Sequence, residues 1–168
     1  FRRKAGAAER GRLAGHLARQ LFRSWNIMYF QLPVAPEHSA SWVLPLLWRR
    51  WAPGYRADED LRHVGAAIGT PESWHAALGP YRATIRNTRP PAQYAELNKL
   101  WTEEPVWPCL YLHGRDDGCM TPAFARWAEK VLPPGSEVAI VEHAGHFLQL
   151  EQPDKVADLV LGFIGSPG

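Results

Sequence analysis

The sequence predicts an α/β chain in which a helical, aromatic-rich region is followed by a βαβα unit with an incomplete parallel sheet. Three observations predict it. Two short apolar runs, residues 109–112 and 138–141, each stop at a glycine-containing loop. The segment between them, residues 121–132, reads as one helix, so the two runs form a βαβ unit with parallel strands. Upstream of Glu103-Glu104-Pro105, tryptophan-rich helical segments replace the β-forming runs. That shift divides the chain into residues 1–104 and residues 105–168.

The elements follow in order. Residues 7–23 contain good helix formers, with Leu13, Leu17 and Leu21 spaced four apart, and predict an amphipathic helix with its apolar stripe packed inward. Residues 24–33 continue as helix or extended chain until Pro33 and Pro36 interrupt them. A helix opening at Pro36-Glu37 carries Trp42, Val43, Leu46, Leu47 and Trp51, and ends at Pro53-Gly54. Asp58 is expected to cap a helix reaching Ile68. Thr70-Pro71-Glu72 opens another through Trp74 and Leu78, with a kink expected at Gly79-Pro80. After Pro90-Pro91, residues 92–102 form one more. The last helix opens at Gln152-Pro153-Asp154, and Val156, Leu159, Val160 and Phe163 should pack back onto the sheet.

Composition narrows the function classes. The 168 residues suffice for one domain with a core, and 46% apolar and 21% charged residues are ordinary for a globular protein. A net charge of +2 predicts neither a nucleic-acid nor a membrane partner. Arg2, Arg3, Lys4, Arg10 and Arg12 crowd the start and read as a solvated helix end. Two cysteines make no disulfide framework, and Cys109, in the first strand, reads as a small buried hydrophobe. No run approaches the roughly 20 apolar residues of a membrane span. The basic start lacks the apolar block of a signal peptide, so a reducing, cytoplasmic setting is expected. The chain opens on Phe1 rather than Met, which fits processing or a piece of a longer protein.

The chemistry gathers at the two strand ends. Strands of a βαβ unit point the same way, so the loops after them share one rim, where open α/β sheets place ligands. The first loop carries Asp117 and the second His146. A carboxylate that accepts a proton from an imidazole fixes its tautomer and stabilises the imidazolium formed in catalysis, while the imidazole acts as general base. His143 and His146 make a His-x-x-His pair without an acidic third ligand, so no metal is expected, and no cofactor.

Gly114-Arg115-Asp116-Asp117 after one strand and Ala144-Gly145-His146-Phe147 after the next resemble the C-terminal part of the α/β-hydrolase fold. The order acid then histidine agrees with that family, as do Pro108-Cys-Leu-Tyr-Leu-His-Gly and the segment running from Phe147 to Pro153. Ser24-Trp25-Asn26, leading to Pro33 and Pro36-Glu37, is similar to the start of the helical lid in the epoxide-hydrolase-like branch. The resemblance covers residues 12–165. It implies that Asp117 is the acid, His146 the base and Tyr81, in Pro80-Tyr81-Arg82, a lid hydroxyl steadying the developing alkoxide. Trp25, Asn26 and Phe147 become candidates for lining the pocket of a small apolar organic substrate. Asn26 stands where the branch often has a second tyrosine, and an amide donates a hydrogen bond without delivering a proton as a phenol does.

The family's nucleophile sits on a Gly-x-Ser-x-Gly or Gly-x-Asp-x-Gly elbow before the lid. No Gly-x-Ser-x-Gly occurs, and Gly114-Arg115-Asp116-Asp117-Gly118 fits the second pattern only formally, because no later strand-end acid would serve Asp116. The expectation is therefore a site whose nucleophile, Asp or Ser, lies outside these residues, a chain inactive alone, and an open sheet edge prone to self-association. The alternatives are an esterase-like or other α/β-hydrolase piece, or a non-catalytic remnant or partner-binding helical module.

Overall fold

The computed structural model describes residues 15, 20–86, 89, 91–100 and 103–165. The basic cluster at the start, Leu13, Leu17, Trp101 and the end of the segment predicted at 92–102 lie outside them. Residues 20–23 are helical and lead into α1, Trp25–Tyr29. The chain then forms α2 (Ala40–Trp51), α3 (Asp58–Ile68), α4 (Pro71–Arg86) and α5 (Ala95–Leu100). Strand β1 (Leu110–Gly114), α6 (Ala125–Val131), β2 (Glu137–Val141), the short α7 (Leu148–Glu151) and α8 (Pro153–Gly165) follow. The chain is thus mostly helical with a small two-stranded parallel sheet among the described residues, paired from Leu110↔Glu137 to Gly114↔Val141.

The core sits in the helical layer, where Phe30, Val43, Leu47, Trp74 and Leu78 are buried against one another. Burial of such side chains is worth about 1.5–3 kcal/mol each relative to exposure. Polar ties hold the layer in register. The Trp74 indole N–H donates to the Pro36 carbonyl at 2.6 Å. Arg82 donates to the Phe30 and Leu32 carbonyls at 3.0 and 3.2 Å and to Glu37 Oε1 at 2.6 Å. The Arg82 guanidinium holds the Glu37 carboxyl down to about 2, well below the usual carboxylate range, although burial pushes the other way.

Several local expectations are corrected. Pro36–His38 forms a 3-10 turn of its own, and the α-helix begins at Ala40, after Ser39. Asp58 is the first residue of α3 rather than its cap. Ala57 holds the cap position, and Asp58, Glu59 and Asp60 place negative charge on the positive helix end instead. Thr70 caps α4 as expected, its Oγ1 accepting the Ser73 N–H at 3.2 Å. Helix α4 runs on through Pro80, with Leu78 buried before it and Arg82 tied to Glu37 after it. Strand β1 reaches Gly114, two residues beyond the apolar run, because the ladder continues as far as β2 supplies partners. Cys109 precedes the paired register, is only half-buried, and its thiol donates to the Trp107 carbonyl at 3.2 Å. Leu21 is 73% exposed, while its polar neighbours Gln20 and Arg23 make the tertiary contacts of that segment. In α8, Val156, Leu159 and Phe163 are half-buried and Val160 is exposed, so this helix covers the sheet only in part. Among the described residues no helix is long and apolar enough to cross a membrane.

Candidate active site

The acid loop begins where β1 stops pairing. Asp117 folds its side chain back on its own turn, and its Oδ1 accepts the N–H groups of Cys119 at 2.7 Å and Met120 at 2.8 Å. This leaves Oδ2 to accept from His146 Nδ1 at 3.0 Å. Asp117 is 5% exposed. Burial pushes its carboxyl up, but the His146 bond and the two N–H groups outweigh it and hold the group below its ordinary value.

The base loop is held through its backbone. Glu151, at the end of α7, accepts the Gly145 N–H at 2.8 Å and the Phe147 N–H at 3.1 Å. The intervening His146 N–H donates to the Trp51 carbonyl at 2.9 Å. Three successive N–H groups thus fix the direction in which the imidazole leaves the chain. The His146 side chain is 30% exposed, with Nδ1 on Asp117 and one edge against the Trp51 indole at 5.1 Å between centroids. Nε2 has no hydrogen-bond partner among the described residues. With its proton on Nδ1, His146 presents a bare Nε2, the form a general base requires.

The two loops are locked together by close backbone approach. Arg115 and Asp116 N–H groups donate to the Val141 and Ala144 carbonyls at 2.9 and 2.8 Å. The Trp51 carbonyl accepts a second N–H, from Gly118 at 3.2 Å. Only glycine fits at three positions here, and a Cβ on Gly114 would overlap the Gly145 carbonyl oxygen of the base loop. A Cβ on Gly118 would overlap the Arg50 carbonyl oxygen, and one on Gly145 would lie 2.5 Å from the Trp51 oxygen and 2.7 Å from the Ala52 Cα. From the other side Gln20 brackets the acid loop, donating to the Cys119 carbonyl at 2.8 Å and accepting the Thr121 N–H at 3.1 Å. Arg23 donates to the Asp117 and Met120 carbonyls at 2.6 and 3.1 Å.

Of the residues predicted from sequence, Asp117, His146 and Phe147 stand together. Phe147 stacks on Trp48 at 4.0 Å and lies 5.3 Å from the His146 ring. Trp25 and Tyr81 pack against the helical core, Tyr81 on Phe30 at 5.0 Å. Burial, with a smaller contribution from nearby Cys119, raises the Tyr81 hydroxyl, which stays protonated at neutral pH. Burial also pushes the Cys119 thiol up to about 11, assisted by the Asp117 charge and opposed by Arg23. Asn26 is 3% exposed, and its Oδ1 has no partner among the described residues. It shares a helix face with Arg23, three residues back on the acid loop, and with Phe30, four ahead on Tyr81. Asp116 is exposed, whereas Asp117 beside it is buried. A cavity of about 370 Å³ lined by Leu44, Leu61, Ile68 and Trp74 lies within the helical layer, and no predicted site residue lines it. Among the described residues no three His, Cys, Asp or Glu side chains gather to hold a metal.

Sequence reasoning missed Trp51, Gly118, Glu151, Gln20 and Arg23. Glu151, one helical turn past Phe147, carried the only local signal. The others act across long stretches of chain.

Residues 7–159 match the model of a family described as the alpha/beta hydrolase family. No curated protein and no solved structure matches the chain.

Proposed function

The chain belongs to the alpha/beta hydrolase family, and on that premise we propose that it carries the acid and base of an epoxide-hydrolase-like site. The observation that carries the reading is the Asp117 Oδ2···His146 Nδ1 bond of 3.0 Å, with Nε2 left unpartnered among the described residues. Residues 1–104 act as the helical lid and residues 105–168 as part of the catalytic core. An Asp carboxylate outside these residues attacks a ring carbon of the epoxide. The C–O bond breaks, its electron pair stays on the ring oxygen, and Tyr81 donates a hydrogen bond to that developing alkoxide. His146 Nε2 then takes a proton from water as the water attacks the ester carbonyl, and Asp117 stabilises the imidazolium. The acyl C–O bond breaks, and the departing diol oxygen takes that proton from His146. The ring alkoxide takes one from solvent, to which the regenerated carboxylic acid returns one. Trp25, Asn26 and Phe147 contact a small apolar organic substrate.

A second reading is esterase-like chemistry, with a serine nucleophile whose proton His146 carries. It is favoured by Asn26, which supplies a hydrogen bond where the epoxide branch often has a phenol. Reading the coding sequence upstream of Phe1 separates the two. An elbow with Asp supports epoxide opening, an elbow with Ser supports ester hydrolysis, and neither would return the chain to a non-catalytic, partner-binding role. The 168-residue chain alone should turn over neither aryl epoxides nor aryl esters, since loss of one triad member removes most of the catalysis. Turnover that disappears in His146→Ala would overturn this. Both strands of the parallel pair have an open edge among the described residues, and we read them as sites of self-association. A concentration-independent monomer mass in light scattering would argue against that.

A further inference from the structure

His113 lies one residue before the end of β1, is 4% exposed, and has no part in the chemistry described above. Its surroundings are specific. Nδ1 is 2.9 Å from the Tyr111 hydroxyl, and the two rings stack at 5.9 Å with 26° between their planes. Nε2 faces two acceptors, the Met120 carbonyl at 3.4 Å and Asp117 Oδ2 at 3.6 Å. A bare Nε2 would set a lone pair against two oxygens in a dry site, so the proton of the neutral ring belongs on Nε2. Nδ1 is then the acceptor, and Tyr111 must be the donor. Burial and the Asp117 charge raise the Tyr111 hydroxyl, which keeps its proton.

Tyr111 O–H therefore points to His113, His113 Nε2–H points between Met120 O and Asp117 Oδ2, and Asp117 Oδ2 faces His146. Oδ1 of the same carboxylate is already pinned by two backbone N–H groups. At 3.6 Å the His113 contact is a directed dipole rather than a full hydrogen bond. Its value lies in position, because it approaches Oδ2 from the buried side while His146 approaches from the more open one.

We propose that His113, set in its Nε2–H tautomer by the two oxygens it faces and braced at Nδ1 by Tyr111, is a positioning residue for the acid–base pair: it holds Asp117 Oδ2 in line with His146 Nδ1 when the half-exposed imidazole moves. This rests on the reading of Asp117 and His146 as acid and base. Long-range proton–nitrogen NMR of the full chain, labelled with nitrogen-15, tests it without requiring activity. The expected wild-type spectrum has His113 as the Nε2–H tautomer and His146 as the Nδ1–H tautomer. Tyr111→Phe, which keeps the ring and leaves both oxygens at Nε2, should leave His113 in the Nε2–H tautomer. His113→Leu, similar in bulk but without a donor, should cost His146 its single tautomer, and His113→Gln, which restores an N–H at similar reach, should recover it. Wild-type His146 lacking the Nδ1–H tautomer would overturn the acid–base reading and this inference together. His146 in that tautomer and unchanged in His113→Leu would overturn this inference alone.

Discussion

Trp51 holds His146 twice: its carbonyl accepts the His146 N–H at 2.9 Å, and its indole lies edge-on to the imidazole at 5.1 Å. The same carbonyl also accepts the Gly118 N–H. One residue at the end of a helix in the tryptophan-rich half thus fixes the backbone of both loops that follow the strands. The helical layer and the βαβ unit meet at the site itself, so a change in the packing of α2 is transmitted directly to the base.

Removing the ring and keeping the carbonyl separates the two contacts. Trp51→Ala should lower unfolding stability by about 2 kcal/mol, below the range for a fully buried tryptophan because this one is half-buried. Trp51→Phe should recover most of that loss. Urea denaturation of both variants is the measurement, and equal stability of Trp51→Ala and wild type would contradict the packing role.

Gly118→Ala should disrupt the backbone clip. The added Cβ meets the Arg50 carbonyl, a backbone atom that cannot rotate aside. The expected cost is about 1–3 kcal/mol, together with faster amide exchange at His146. An alanine variant with unchanged exchange would mean that the crossing is looser than the structure indicates.

Glu151 provides a graded test of the base loop. Glu151→Ala leaves the Gly145 and Phe147 N–H groups without an acceptor and should cost about 1–3 kcal/mol. In Glu151→Gln one oxygen remains, so one of the two amides should stay protected. Hydrogen exchange read at those two residues distinguishes this from a uniform loss of stability.

The pH dependence has a defined sign. Glu37 and Asp117 both have carboxyls depressed in the folded protein, Glu37 to about 2. A depressed acid stabilises the fold above its unfolded value, and that contribution is lost as pH falls through the folded value. Stability should therefore decline from about pH 5 toward about pH 2. Arg82→Ala removes the main cause of the Glu37 depression, so the variant should be less stable at neutral pH and lose less on acidification. Chemical denaturation across that range checks it, and parallel curves for the two proteins would exclude the Arg82–Glu37 pair as the source.

The amino-acid sequence by itself determined the α/β class, the family, and where the two candidate catalytic residues fall, because each depends on local pattern. Apolar runs closed by glycine mark strand ends, and proline-led starts mark helices such as α4. The contact between Asp117 and His146 was legible because parallel strands carry their loops to one rim. Which atoms hold those side chains in place was decided only by the tertiary structure. Gln20 reaches the Cys119 carbonyl across 99 positions of sequence, and locally it reads as one more polar residue on a helix. Leu21 beside it obeys the apolar spacing yet is exposed, and Cys109 sits in an apolar run yet outside the paired ladder. Periodicity records which face of an element can be buried. Which face is buried, and which backbone carbonyl it meets there, depends on how distant segments fill the same volume.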